Sequence, residues 1–284
     1  MSSRNYTPEE LERLHKELYD ILAEIIRICN KHHIPYFVMG GTAIGTFFWQ
    51  GIIPWDDDID IGLTRDNYNK FLEVAPRELR KPYFLQWVDT DPHTPFYFAK
   101  VRKDNTMFVE EDFKDLEIHH GIFVDIFPFD RVPDNKALRK AHRISCNFFN
   151  CCFMGKDIWM WKYMRKCGIK EPHNRGFLPC FANWLVDVCC SKKTIYRMLC
   201  KTQGMFNSCK TKDYNMVLMP HDQIPEESIK HLQEMKFGPL TVTAPTNLEA
   251  YLRHHYKNLR KDVPKEDQEN HRPAYLSFDT SHEK

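Results

Sequence analysis

Gly40-Gly41-Thr42-Ala43-Ile44-Gly45-Thr46-Phe47-Phe48-Trp49-Gln50-Gly51-Ile52-Ile53-Pro54-Trp55-Asp56-Asp57-Asp58-Ile59-Asp60-Ile61 is the stretch on which the fold is decided. The apolar, β-prone run Ile34 to Met39 leads into the two glycines, and a helix is expected from Thr42 to Trp49, closed by a turn at Gly51. Asp58-Ile59-Asp60-Ile61 then alternates strictly and predicts a half-buried strand. Side chains alternate along a strand, so Asp58 and Asp60 share one face and Ile59 and Ile61 the other. Neighbouring carboxylates repel each other unless a cation lies between them. An oxygen-only pair suits Mg²⁺ or Mn²⁺, hard ions that also accept phosphate oxygens and water. With no His or Cys expected among the ligands, Zn²⁺ is expected to substitute poorly. Gly40, Gly41 and Thr42 stand where a backbone can approach a phosphate closely, at a helix start with free N–H groups.

Each feature has a plainer explanation when taken alone. A glycine pair before a helix is usually a turn, and an acidic run is usually a solvated loop. The apolar frame of Ile52, Ile53, Trp55 and Ile61 argues against the solvated loop. Asp125 strengthens the case, because it is the one charged residue between Gly121 and Phe129, in a run expected to be a strand from Ile122 to Phe127 that ends at Pro128. A buried lone Asp must be paired or bound to metal. Two carboxylates on one strand and a third on its neighbour make the ligand set of a phosphoryl or nucleotidyl transfer site.

Outward from this centre, Thr7, Pro8 and Glu10 form a helix start with the pattern of a capping box, and Leu11, Leu14, Leu18, Leu22, Ile25 and Ile26 follow at helical spacing until about Asn30. Another helix is expected from Asn67 to Glu73. Strands are expected at Phe96 to Arg102 and Met107 to Glu110, with turn residues Asp104-Asn105 between them. Helices and strands mix, so the fold class is α/β. From about Lys136 to Asn207 the alternation disappears and a helical subdomain is expected. The organisation is read as a core over 1–135, a helical insertion over 136–210 and a C-terminal segment over 211–284 that packs on the core.

Gly40-Gly41-Thr42 followed by Gly51 to Ile61 closely resembles the signature of the LicD family, part of the nucleotidyltransferase superfamily, which includes bacterial phosphocholine transferases and has fukutin-related proteins as distant relatives. Arg65, Tyr68 and Phe71 resemble the family's Arg-x-x-Tyr-x-x-Phe helix, and Lys100-Val101-Arg102 with Asn105-Thr106 its next block. Gly121 to Asp130 resembles the block with the third acid, and Tyr251 to His271 matches more loosely. The resemblance implies a nucleotidyltransferase-like mixed sheet, catalytic and metal-binding Asp58, Asp60 and Asp125, and transfer of a phospho-alcohol such as phosphocholine. The implied donor is CDP-activated, and the acceptor is a glycan or lipid-linked glycan at the cell surface. Where the family carries a basic residue in the helix before Pro-Trp-Asp, this chain has Phe47-Phe48-Trp49-Gln50, which bears on the donor. Transfer of a nucleotide by the same fold, or a non-catalytic scaffold, are the alternatives.

Lys100 and Arg102 share a strand face and could flank the donor's phosphates; their plainer role is a solvated strand edge. Asp56 and Asp57 are read as turn residues or supports for the ligands, and His271 as a bystander. A formal net charge of +1 argues against broad nucleic-acid binding. The first twelve residues lack the apolar stretch of a signal peptide and no run is long enough to span a bilayer, so a cytoplasmic protein is expected. Lys156 to Lys166 mixes Trp159, Trp161 and Tyr163 with cations, which fits either a helix at the inner membrane surface or one packed on the core, the latter favoured. The ten cysteines lack any Cys-x-x-Cys pair, and reduced thiols are expected in preference to a zinc site at Cys167, Cys180, Cys189 and Cys190.

Overall fold

The computed structural model describes residues 6–156, 190–219, 222–268 and 270–280. The aromatic residues Trp159, Trp161 and Tyr163, and Cys167, Cys180 and Cys189, lie outside the described residues. Helix α1 (Pro8–His32) opens with the expected capping box: the Thr7 hydroxyl accepts from the Glu10 amide at 3.1 Å and the Glu10 carboxylate accepts from the Thr7 amide at 2.8 Å. It ends at His33 in the left-handed region, with φ 51°. Its apolar stripe, including Leu14, Leu18, Ile21, Leu22, Ile25 and Ile28, is fully buried.

After strand β1 (Phe37–Val38) and helix α2 (Gly40–Trp49) come strand β2 (Asp60–Thr64), helix α3 (Arg65–Glu78), and strands β3 (Tyr83–Gln86), β4 (Ala99–Lys103), β5 (Met107–Val109) and β6 (Phe123–Val132). The central sheet runs β1-β2-β6-β4-β3. The β2–β6 pair is parallel and the other pairs antiparallel, giving the mixed sheet of an α/β fold. Strand β6 is apolar for most of its length and lies at the centre, as expected for a strand covered on both faces. Rows such as Ile61, Ile126 and Ala99 join the buried stripe of α1 in the main core.

One sequence expectation needs correction here. Strand β6 does not stop at Pro128 but runs on to Val132. Pairing with β4 ends at Ile126 and pairing with β7 (Asp213–Asn215) starts at Asp130, so Pro128, which has no N–H to give, falls in the gap between two partners. The turn expected at Asp104-Asn105 is present, with Asn105 at φ 59°, but the strands it joins do not pair, because β5 pairs with β11 (Tyr275–Ser277) and not with β4.

Helix α4 (Lys136–Gly155) packs on α5 (Lys192–Gln203), with a second apolar cluster that contains Cys146, Phe153, Ile195 and Leu199. Strand β7 adds to β6 and carries β8 (Gln223–Pro225), followed by the short α6 (Glu226–Lys230), the hairpin β9 (Gln233–Phe237) and β10 (Leu240–Ala244), and α7 (Leu248–His255). The described cysteines are free thiols.

A buried ion pair fixes the start of α3 to the end of β6. The Arg65 guanidinium donates to Asp130 at 2.9 and 2.5 Å, and Asp130 also accepts from Asn207 at 2.7 Å. Removing one partner strands a buried charge, which costs about 3–5 kcal/mol. Asp130→Ala is therefore expected to lower unfolding free energy by that amount in urea titrations; a loss below about 1 kcal/mol would show the pair to be dispensable.

Candidate functional site

Asp60 on β2, Asp125 on β6, Lys100 on β4 and Gln86 on β3 are register partners, forming one row across four strands. Register partners rise from the same face of a sheet, so the row brings residues distant in sequence together. Lys100 Nζ lies 2.9 and 3.1 Å from the two oxygens of Asp125 and 3.5 Å from the centre of the Phe123 ring. Lys100 is only 2 % exposed and Arg102 is 0 % exposed, and β4 sits between β6 and β3. Neither is the solvated edge residue that was the plainer alternative. Arg102 is enclosed: it donates to Gln86 and to the Gly121 carbonyl at 2.7 Å, with Glu110 at 3.6 Å. Of the two expected phosphate-binding cations, Lys100 faces the acids and Arg102 braces the wall behind it.

The strand begins at Asp60 rather than Asp58. The chain before it is nonetheless held against β6, because the Ile59 carbonyl accepts from the Asp125 amide at 2.9 Å. Ile59 and Ile61 are fully buried, so the alternation that assigned the acids to the opposite side holds. Thr42 directs its hydroxyl to the Asp60 amide, accepting at 2.8 Å, and so ties β2 to the start of α2. Gly40 has φ +54°, and a Cβ there would stand 3.2 Å from Asp60 Oδ2; one at Gly41 would stand 2.7 Å from Asp56 Oδ2. No side chain caps α2 at Met39. The glycine turn thus brings the positive end of a helix against carboxylates, which stabilises their charge.

That charge is concentrated. Burial, reinforced by the neighbouring acids, pushes Asp56 up to about 8. Burial and Asp57 push Asp58 to about 6 despite His271 and Lys100. Burial raises Asp125 to about 6 against the pull of Lys100. Asp60 lies well above the ordinary carboxylate range, through burial and then Asp58 and Asp125, and burial also raises Asp57. Among the described residues, ligand atoms gather within 4.8 Å of one another at Asp57, Asp58 and His271, whereas Asp60 and Asp125 are register partners beside the Lys100 ammonium; acids crowded in this way suit a divalent cation. They border a cavity of about 970 Å³ whose walls include Asp57, Asp58, Asp125, Lys100, Glu110 and His271; Asp60 lies outside that lining. Its size suits a nucleotide-sized molecule.

Asp57 and His271 are site residues that the sequence reading set aside. Asp57 Oδ2 accepts from the Tyr6 hydroxyl at 2.7 Å and from the His271 amide at 2.9 Å. One ligand atom each from Asp57, Asp58 and His271 lie within 4.8 Å of one another, so a nitrogen donor stands beside the acids after all. The available signal was the loose C-terminal resemblance ending in His271. The aromatic end of α2 forms an edge-to-face chain from Phe47 through Phe48 and Trp49 to Trp55, and Lys261 Nζ stands 5.8 Å from the Trp49 ring centre.

Residues 33–168 match the family described as LicD/FKTN/FKRP, nucleotidyltransferase domain. Over 147 residues the chain is 30% identical to the lipopolysaccharide cholinephosphotransferase LicD of Haemophilus influenzae, covering 50% of this chain and 52% of that protein. It is 28% identical over 119 residues to an uncharacterized protein of Rickettsia typhi, covering 42% of this chain and 36% of that one. A protein of Rickettsia prowazekii, also uncharacterized, is 33% identical over 60 residues, 21% of this chain and 23% of its own length. The chain spans about half or less of the length of these relatives.

Proposed function

We propose that this chain, whose residues 33–168 match the LicD family, moves a phospho-alcohol, phosphocholine or a similar group, from a CDP-activated donor to a hydroxyl of a cell-surface glycan or its lipid-linked precursor. The carrying observation is that Asp58, Asp125 and Lys100 line one cavity of about 970 Å³, with Asp60 next to Asp125 in the strand row. The name of the Haemophilus relative supports the choice of group and acceptor.

In this reading Asp58, Asp60 and Asp125 hold Mg²⁺ or Mn²⁺, which when bound offsets phosphate charge and acidifies an acceptor hydroxyl. The acceptor oxygen bonds to the phosphorus that carries the alcohol, the bond from that phosphorus to the bridging oxygen breaks, and CMP leaves. Asp125, in the cavity wall, would take the hydroxyl proton. Lys100, at 2.9 Å, holds Asp125 in place and limits how far its affinity for protons rises. Gly40 and Gly41 keep the start of α2 open to anionic groups. The described residues contain no helix long and apolar enough to cross a membrane.

A donor labelled separately in its cytidine and alcohol halves tests the assignment. Label from the alcohol phosphate should appear on the glycan, with one CMP released per transfer. Cytidine label retained on the acceptor would instead establish nucleotidyl transfer, and no turnover across a panel of CDP-linked donors would favour a scaffold.

A further inference from the structure

We propose that Asp57, Asp58 and His271 form a divalent-cation site with mixed oxygen and nitrogen ligands, closed by the C-terminal segment. It shares Asp58 with the transfer site and to that extent rests on the reading above. Three potential ligand atoms within 4.8 Å of one another come from two places far apart in sequence. A second observation points to a missing ligand. Asp57 is 2 % exposed, and while its Oδ2 accepts two hydrogen bonds, its buried Oδ1 has none. That oxygen faces His271 Nδ1 across 3.9 Å, too far for a hydrogen bond. A buried carboxylate oxygen left without a donor is costly unless something positive completes it.

The surrounding structure brings the imidazole to this spot. The His271 amide is anchored on Asp57, Arg272 forms a two-bond ion pair with Glu10 at 2.8 and 2.9 Å, the Ala274 amide donates to the Val109 carbonyl, and β11 pairs with β5. The backbone at 271 is therefore fixed while the side chain itself, 80 % exposed, is free to turn onto an ion. A His in place of a third oxygen changes the selectivity. Imidazole raises affinity for Mn²⁺, Co²⁺ and Zn²⁺ relative to Mg²⁺, which prefers oxygen. It also couples cation binding to docking of the C-terminal segment, since the same loop carries both the ligand and the anchor to Asp57.

Mn²⁺ titration of the full chain, followed by electron paramagnetic resonance without any substrate, tests this site. Wild type should show nitrogen modulation from a coordinated imidazole, and His271→Ala should abolish it and weaken Mn²⁺ at least ~10-fold. Asp57→Asn should weaken that nitrogen-modulated binding similarly, whereas Asp125→Asn should leave the nitrogen signal in place. His271→Ala removes an exposed side chain and leaves the amide bond to Asp57, so its folding is not in question. Unchanged Mn²⁺ affinity and no nitrogen signal in the wild type would overturn the site. If Asp58→Asn and Asp125→Asn abolish Mn²⁺ binding while His271→Ala does not, this inference fails and the transfer-site assignment stands. If His271→Ala abolishes binding but labelled-donor transfer survives chelation, the cation site stands and the metal-assisted transfer falls.

Discussion

Asp58→Asn and Asp60→Asn are each expected to reduce transfer by about a thousandfold or more, the equivalent of roughly 4 kcal/mol of lost transition-state stabilisation, while raising the thermal stability of the metal-free protein. The two effects have opposite signs because one charge cluster causes both. With phosphates present, the carboxylates gather the positive charge that the reaction needs. Without metal they repel each other in a poorly solvated place, which is why Asp56, Asp58, Asp60 and Asp125 are all raised. Their folded values lie above the unfolded value of about 4, so the native state holds protons that the unfolded chain has released. The associated stability is fully present below about pH 4. It is lost as pH rises through about 6 for Asp58 and Asp125 and through about 8 for Asp56. Metal-free wild type should therefore melt lower at pH 8 than at pH 5. Asp60→Asn should melt above wild type at pH 8, with a smaller gain at pH 5. Differential scanning calorimetry in chelator reads the stability and the labelled-donor assay reads the chemistry. Wild-type turnover in either variant, or a variant that melts below wild type at pH 8, would remove these residues from the site.

The alternation Asp58-Ile59-Asp60-Ile61 made the acidic face legible in the sequence, because period two reports directly which side chains meet the core; Ile59 and Ile61 are both fully buried. The α1 capping box was legible for a similar reason, since its donors and acceptors lie three residues apart. What was not legible depended on register between distant strands. Lys100 could equally be a phosphate-binding cation or a strand-edge lysine until its pairing with Asp125 on one side and Gln86 on the other placed it inside the sheet. The continuation of β6 through Pro128 depended on two partners ending and starting on either side of that residue. Asp57 and His271 are 214 positions apart, and their contact is set by β11 pairing with β5, a three-residue strand that no local pattern announces. Conversely, Arg65, Tyr68 and Phe71, singled out by resemblance alone, are all buried on α3, where Arg65 has its partner in Asp130.

Exhaustive chelation should abolish transfer, and Mg²⁺ or Mn²⁺ should restore it, with the cation dependence steepening below about pH 6. The slope follows from competition. Protons and metal seek the same oxygens, and Asp58 and Asp125 begin to take up protons as pH falls through about 6. Lys100 adds a second competitor at Asp125, since its ammonium already contacts both oxygens of that carboxylate. Asp125→Asn should accordingly bind nucleotide nearly as well as wild type yet lose about a thousandfold in rate, as the acceptor hydroxyl loses its base or its cation. Metal should also stabilise the folded protein by about 2.7 kcal/mol at a hundred times its Kd at pH 8, and the same metal concentration should stabilise it less at pH 5, because fewer carboxylates are free to bind. Melting curves with and without Mg²⁺ at the two pH values, run beside the labelled-donor assay, measure both consequences on one sample. Full activity after exhaustive chelation, together with melting curves that ignore the cation at pH 8, would mean that the row of Asp60, Asp125 and Lys100 serves the chemistry without a metal, leaving Lys100 as its cation.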